Sequence, residues 1–160
     1  MEDFLVRSGN KRDLDSDEIA EMVMSYTDAL YDTNQIVKFE KVSKALLEDT
    51  QKLSNNNPLM AQVSERIAYL NLEVMAGKST DLAQANLEKG ILAFNKQYPK
   101  SQYRDRLGFL LGNALIQGAK IDQGKKIFED MLSDKNVSDT VKEMIKSELS
   151  LLKIKEKTVL

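Results

Sequence analysis

Apolar residues recur along this chain every three or four positions, the spacing that lines one side of an α-helix. Ile19, Met22, Val23, Tyr26 and Leu30 form the first such stripe. It is opened by Asp15-Ser16-Asp17-Glu18, whose carboxylates suit the positive end of a helix dipole, and it runs to about Tyr31. Asp32-Thr33-Asn34 reads as a turn and N-cap. A longer stripe follows through Ile36, Phe39, Val42, Leu46, Thr50 and Leu53. Ser54-Asn55-Asn56-Asn57-Pro58 breaks the pattern and puts proline at the start of a third helix, where its missing N–H costs nothing. That helix carries Leu59, Val63, Ile67, Leu70 and Val74 to about Ala76.

Gly77-Lys78-Ser79-Thr80 ends it and caps a fourth, whose stripe is Leu82, Leu87, Ile91, Phe94 and Tyr98, stopped by Pro99. The spacing predicts a fifth helix over about Ser101–Gln117, a sixth over Ile121–Ser133 and a seventh over Ser138–Lys155, the last lined by Val141, Ile145, Leu149 and Leu152. No segment alternates strictly as a half-buried strand would, so the expected fold class is all-α. Residues 1–15 are polar and read as a flexible arm, leaving 16–157 as one helical domain.

The breaks recur regularly. Pro58 and Pro99 lie 41 residues apart, and Asn136-Val137-Ser138 begins 37 residues after Pro99. Helix pairs at that period mark a helical solenoid; a bundle of seven unrelated helices is the alternative.

Composition narrows the chemistry. With no cysteine and no histidine, the chain has no disulfide, no Cys- or His-based metal site and no thiol or imidazole catalysis. There is no glycine-rich phosphate loop and no serine elbow. Asp13-x-Asp15-x-Asp17 suggests a calcium loop, but the required glycine and distal glutamate are Glu18 and Met24 here. No metal or cofactor site is therefore read. Gly108-x3-Gly112 follows Arg104-Asp105-Arg106, which makes it a close-packing motif of a water-facing helix, not of a membrane dimer.

Asn136-Val137-Ser138 matches a glycosylation sequon and also suits a turn with Ser138 as the N-cap of the seventh helix. Lys153, Lys155 and Lys157 cluster near the end of that helix, where cations are favoured. Net charge is −2, with 9 basic and 14 acidic residues in 1–80 against 14 basic and 11 acidic in 81–160. No basic face of the kind that binds nucleic acid stands out. The longest apolar run is far short of a membrane span, and the start lacks a signal peptide's apolar core. The expected location is cytoplasmic, or periplasmic or membrane-anchored if a signal or anchor has been removed.

Tyr98 to Leu132 resembles the tetratricopeptide repeat. Leu111-Gly112 matches the Leu-Gly pair of that repeat's first helix, and Leu115 the large position after it. Gly124 matches the small position of the second helix and Phe128 the aromatic four residues on. Leu87-x3-Ile91-x2-Phe94-x3-Tyr98-Pro99 resembles the second helix of a preceding repeat with its terminal proline, and Leu59–Ala76 its first helix. Met131 at a usually small site, the long loop 77–80 and Asn136 in place of a proline depart from the pattern. Tyr98-Pro99-Lys100-Ser101-x-Tyr103 is also similar to the tetratricopeptide-like proteins of bacterial cell envelopes.

The resemblance implies a right-handed α-solenoid of about three helix hairpins, the pair at 16–53 among them, plus a C-terminal capping helix. It implies a non-catalytic adaptor or scaffold whose concave groove holds a peptide or amphipathic helix of a protein partner. The alternative is a structural domain that mediates homo-oligomerisation or assembly of a membrane-associated complex. Carried onto the fifth helix, the groove would be lined by Arg106, Phe109, Asn113, Ile116 and Gln117. Asn113 falls where clamp-type members hold a terminal carboxylate, but Phe109 stands where their lysine would be. Leu111, Gly112, Gly124, Phe128 and Pro99 would be the packing signature, because a close helix crossing needs a small residue with a ring behind it.

Overall fold

A computed structural model of the chain describes residues 16–53, 57–78 and 81–158. The arm expected at 1–15, the breaker residues 54–56 and Ser79-Thr80 of the expected cap lie outside the described residues. Among those described there are seven helices and no strand: α1 (Ser16–Asp32), α2 (Ile36–Leu53), α3 (Pro58–Ala76), α4 (Asp81–Gln97), α5 (Arg104–Gln117), α6 (Ile121–Ser133) and α7 (Asp139–Thr158). The all-helical reading holds, and the sixth helix has the predicted limits. None of the described helices is long and apolar enough to cross a membrane. The chain divides into two compact units between Asn71 and Leu72.

In the first unit, Ala20 and Val23 of α1, Leu46 of α2 and Met60, Val63 and Ile67 of α3 are buried together. Phe39, fully buried on α2, meets Tyr31 of α1 edge-on with ring centroids 6.0 Å apart. Two polar contacts fix the direction of the helices. The Asn57 amide donates to Asp17 Oδ1 at 2.7 Å, and Arg66 Nε to Asp28 Oδ1 at 3.1 Å. Partners ascend together, so α1 and α3 run the same way. Hydroxyl groups fill the tightest places: Thr27 and Ser43 are fully buried, Thr27 donating to the Val23 carbonyl at 2.9 Å and Ser43 to Asn71 Oδ1 at 2.7 Å. Each buried donor is satisfied, as burial requires.

The fully buried positions of α1 are Ala20, Val23, Thr27 and Leu30; of the predicted stripe Val23 and Leu30 are buried, Ile19 packs half-buried against the core, Tyr26 is half-buried and Met22 is displaced outward. Small residues face the core, and Met22, at 43% exposure, is turned outward. The same correction applies to α4, where Ala83, Gln84, Leu87, Ile91 and Phe94 are buried and Leu82 is 72% exposed. Asn34 is also reassigned. Its N–H donates to the Tyr31 carbonyl at 3.0 Å while Gln35 N–H reaches Leu30 O at 2.9 Å, with φ of 56° at Asn34. This is a Schellman closure of α1 in which asparagine takes the left-handed position, so Asn34 ends a helix instead of opening one.

The second unit is organised on α5 and α6. A side chain added at Gly112 would overlap the Phe128 ring. One at Gly108 would come within 2.9 Å of Met131 Sδ, and one at Gly124 within 2.6 Å of both the Gly112 carbonyl oxygen and Ile116 Cγ1. Glycine therefore faces a large residue at three successive levels, 108 with 131, 112 with 128 and 124 with 116. The two helices run antiparallel and very close. Met131 at its unusual position is matched by Gly108 across the crossing. Leu72 of α3 sits against Gly90 of α4 in the same manner.

The fifth helix starts three residues later than predicted because Tyr98–Tyr103 is spent on turns. Ser101 N–H donates to Tyr98 O at 3.0 Å, Tyr103 N–H to Ser101 Oγ at 3.0 Å, and Arg104 Nη1 to Pro99 O at 2.8 Å. The α5–α6 turn is a second Schellman closure, with Ala119 N–H on Ile116 O at 3.2 Å, Lys120 N–H on Leu115 O at 2.9 Å and φ of 61° at Ala119. Gly118, beside it, has no left-handed backbone. It is small because the Gln84 amide lies against it, donating to Ala114 O at 2.8 Å. Ser138 accepts from Val141 N–H at 3.4 Å as the N-cap of α7, and its own N–H donates to Asp105 Oδ2 of α5 at 2.8 Å.

Candidate functional surface

The five α5 residues expected to line a groove share one face, and most of that face is occupied. Phe109 is only 6% exposed, stacked on Phe128 with centroids 5.7 Å apart and rings inclined by 19°. It belongs to a core cluster with Val137, Val141 and Ile145. The exposed phenylalanine that the resemblance implied at this position is a core ring, because α7 lies over it. Ile116 is half-buried against the same cluster.

Arg106 is half-buried, with Nε 3.4 Å from Glu73 Oε1 and Nη1 3.7 Å from Met144 Sδ, and its guanidinium lies 5.6 Å from the centre of the Phe109 ring. It ties α3, α5 and α7 together. Asn113 is half-buried, and Gln117 alone of the five is exposed. Of the packing signature, Gly112, Gly124 and Phe128 are buried, Leu111 is half-buried and Pro99 is exposed in its turn.

A different surface is open. The outer face of α1 forms a shallow groove of about 630 Å³ lined by Glu18, Glu21, Met22, Ser25 and Tyr26. Its origin is the register of α1. With Ala20, Val23, Thr27 and Leu30 inward, the exposed Met22 and the half-buried Tyr26 fall on one flank of the helix. Their apolar surface is rimmed by the exposed carboxylates of Glu18 and Glu21. The helix holds five acidic residues and no basic one.

Two of the five acids are engaged inward, Asp17 with Asn57 and Asp28 with Arg66. Glu18, which has a partner of its own, and Glu21 give the groove its sign. Among the described residues, Lys38 of α2 stands at its edge, its ammonium 5.8 Å from the centre of the Tyr26 ring, a distance suited to a cation–π contact. Of the suggested calcium loop, Asp13 and Asp15 lie outside the described residues, and Asp17 is bonded to Asn57.

Sequence periodicity missed this face by assigning Met22 and Tyr26 to the core. The available signal was an excess: α1 carries more large apolar residues than a single buried stripe can hold. Comparison of the chain with protein-family models, with curated proteins and with solved structures gives no match.

Proposed function

We propose that this chain is a non-catalytic, tetratricopeptide-like protein-binding module that receives a basic amphipathic segment of a partner on the outer face of α1. The observation that carries the reading is the α1 groove, an apolar floor of Met22 and Tyr26 with a carboxylate rim from Glu18 and Glu21. A helix laid in such a groove would bury aliphatic side chains on the floor while its lysines meet the rim. The glycine-to-large interlock of α5 and α6 supports the repeat-like part of the reading, since it is the close crossing that such hairpins require. A chain without histidine or cysteine also lacks the commonest catalytic groups.

The test is binding of a fluorescent Lys/Leu amphipathic helical peptide, with a Glu/Leu peptide of equal length as control. Saturable binding of the basic peptide alone, weakened by salt and lost in Glu21→Lys, is the expected result. Equal binding of both peptides, or of neither, overturns it.

A further inference from the structure

We propose that residues 2–12 of this same chain fold back on the outer face of α1 and act as a built-in ligand that a partner's segment must displace. This rests on the α1 docking surface described above and names what competes for it. Residues 1–15 lie outside the described residues, and Ser16 opens α1. The segment is therefore tethered at the start of the helix that carries the surface.

Its sequence, read backwards from Ser16, is the complement of the surface read forwards. Arg12, Lys11 and Arg7 come first, then Val6, Leu5 and Phe4, then Asp3 and Glu2. On the surface the order is the exposed carboxylate of Glu21, the apolar side chains of Met22 and Tyr26, and the Lys38 ammonium beside the Tyr26 ring. Cation meets carboxylate, apolar meets apolar, and carboxylate meets cation. Residues 4–12 hold three cations and no acid, whereas α1 holds five acids and no base. Of those five, Asp17 and Asp28 are held by Asn57 and Arg66, and Glu18 has a partner of its own. The pairing is assigned to Glu21.

Lengths agree as well. Arg7 to Phe4 spans about 10 Å of extended chain, against about 8 Å of helix from Glu21 to Tyr26. Residues 8–15, with Gly9 among them, are ample for the return over the about 8 Å of helix from Ser16 to Glu21. Tethering holds the segment at an effective concentration in the millimolar range, so a contact too weak to retain a separate peptide is occupied here. Direction matters too, because the opposite course would set Arg7 against Lys38.

The experiment is paramagnetic broadening of amide resonances in the full chain. There is no native cysteine, so Glu2→Cys gives a single site for a nitroxide label. Broadening should reach Tyr26 and Lys38, and high salt should weaken it. Glu21→Lys and Arg7→Glu should each release it, and the two together should restore it, because the pair is then reversed. Broadening confined to the first turn of α1, broadening unchanged by Glu21→Lys, or a doubly reversed variant that stays released overturns the assignment.

Occupancy by the segment also sets the affinity for a partner. The Lys/Leu peptide should bind Arg7→Glu about tenfold more tightly than the native chain, since the surface is then freed. Equal affinities overturn the segment's role as a competitor. If broadening stops at the first turn of α1 while the Lys/Leu peptide is still captured through Glu21, the docking surface stands and only its built-in occupant fails. If broadening reaches Tyr26 but Arg7→Glu captures no peptide, the built-in contact stands and the reading of a partner surface fails.

Discussion

Phe128 of α6 lies with its ring in the space that a side chain on Gly112 of α5 would fill, and the ring is fully buried. Gly112→Ala therefore overpacks the crossing, at a cost of about 1–3 kcal/mol, against a gain of at most about 1 kcal/mol from better helix propensity. The expected net effect is a loss of about 1–2 kcal/mol in urea denaturation. Phe128→Leu in the same background should recover part of it, a coupling that a double-mutant cycle reads directly. Gly124→Ala should cost more, since its new methyl meets the Gly112 carbonyl oxygen, which cannot rotate away. A stabilising Gly112→Ala would contradict the interlock.

The two Schellman closures carry different residues at the same strained position, Asn34 and Ala119. Alanine in the left-handed region costs about 1–2 kcal/mol, of which glycine returns a part in unfolded-chain entropy. Ala119→Gly should raise stability by about 0.5–1 kcal/mol. Asn34→Gly should change little, because asparagine tolerates this conformation. Thermal melts of the two variants side by side check the contrast, and a destabilising Ala119→Gly would rule out the left-handed assignment.

Phe109 serves the core and is not available to a partner. Phe109→Ala should cost about 3–5 kcal/mol, a large share of the stability of a typical domain. Gln117→Ala, exposed on the same helix, should stay within about 0.5 kcal/mol. Far-UV circular dichroism during urea titration separates these outcomes, and a Phe109→Ala variant as stable as the native chain would return that ring to the surface.

Helix number and order were legible because Pro58, Pro99 and the polar turns interrupt a strong period, and because the α6 stripe is bounded by polar turns on both sides. The glycine pattern was legible for the same reason as its packing: Gly112 and Gly124 are costly in a helix unless something needs the room. Rotational register was not. A stripe read from large apolar residues favours Met22 over Ala20 and Leu82 over Ala83, but a close crossing selects small residues for the inner face. Burial of Thr27 is equally invisible in a hydropathy pattern, since it depends on the hydroxyl turning back to the Val23 carbonyl. The α1 groove was missed through this one error of register, because its floor is made of the residues wrongly sent inward.

That register is itself open to test. Met22 and Val23 are neighbours in sequence, and the structure gives them opposite surroundings, 43% and 3% exposed. Met22→Gln keeps length and helix propensity, so it should alter stability by no more than about 0.5 kcal/mol. Val23→Ala removes two buried methyl groups and should cost about 2 kcal/mol. Ala20→Leu, which adds volume at a site with no exposed surface, should cost about 1–3 kcal/mol, although it makes the sequence stripe look more helical and more hydrophobic. Urea denaturation midpoints at constant m-value decide the matter. If Met22→Gln proves the costliest of the three, the predicted stripe is the buried one, and the groove on the outer face of α1 does not exist.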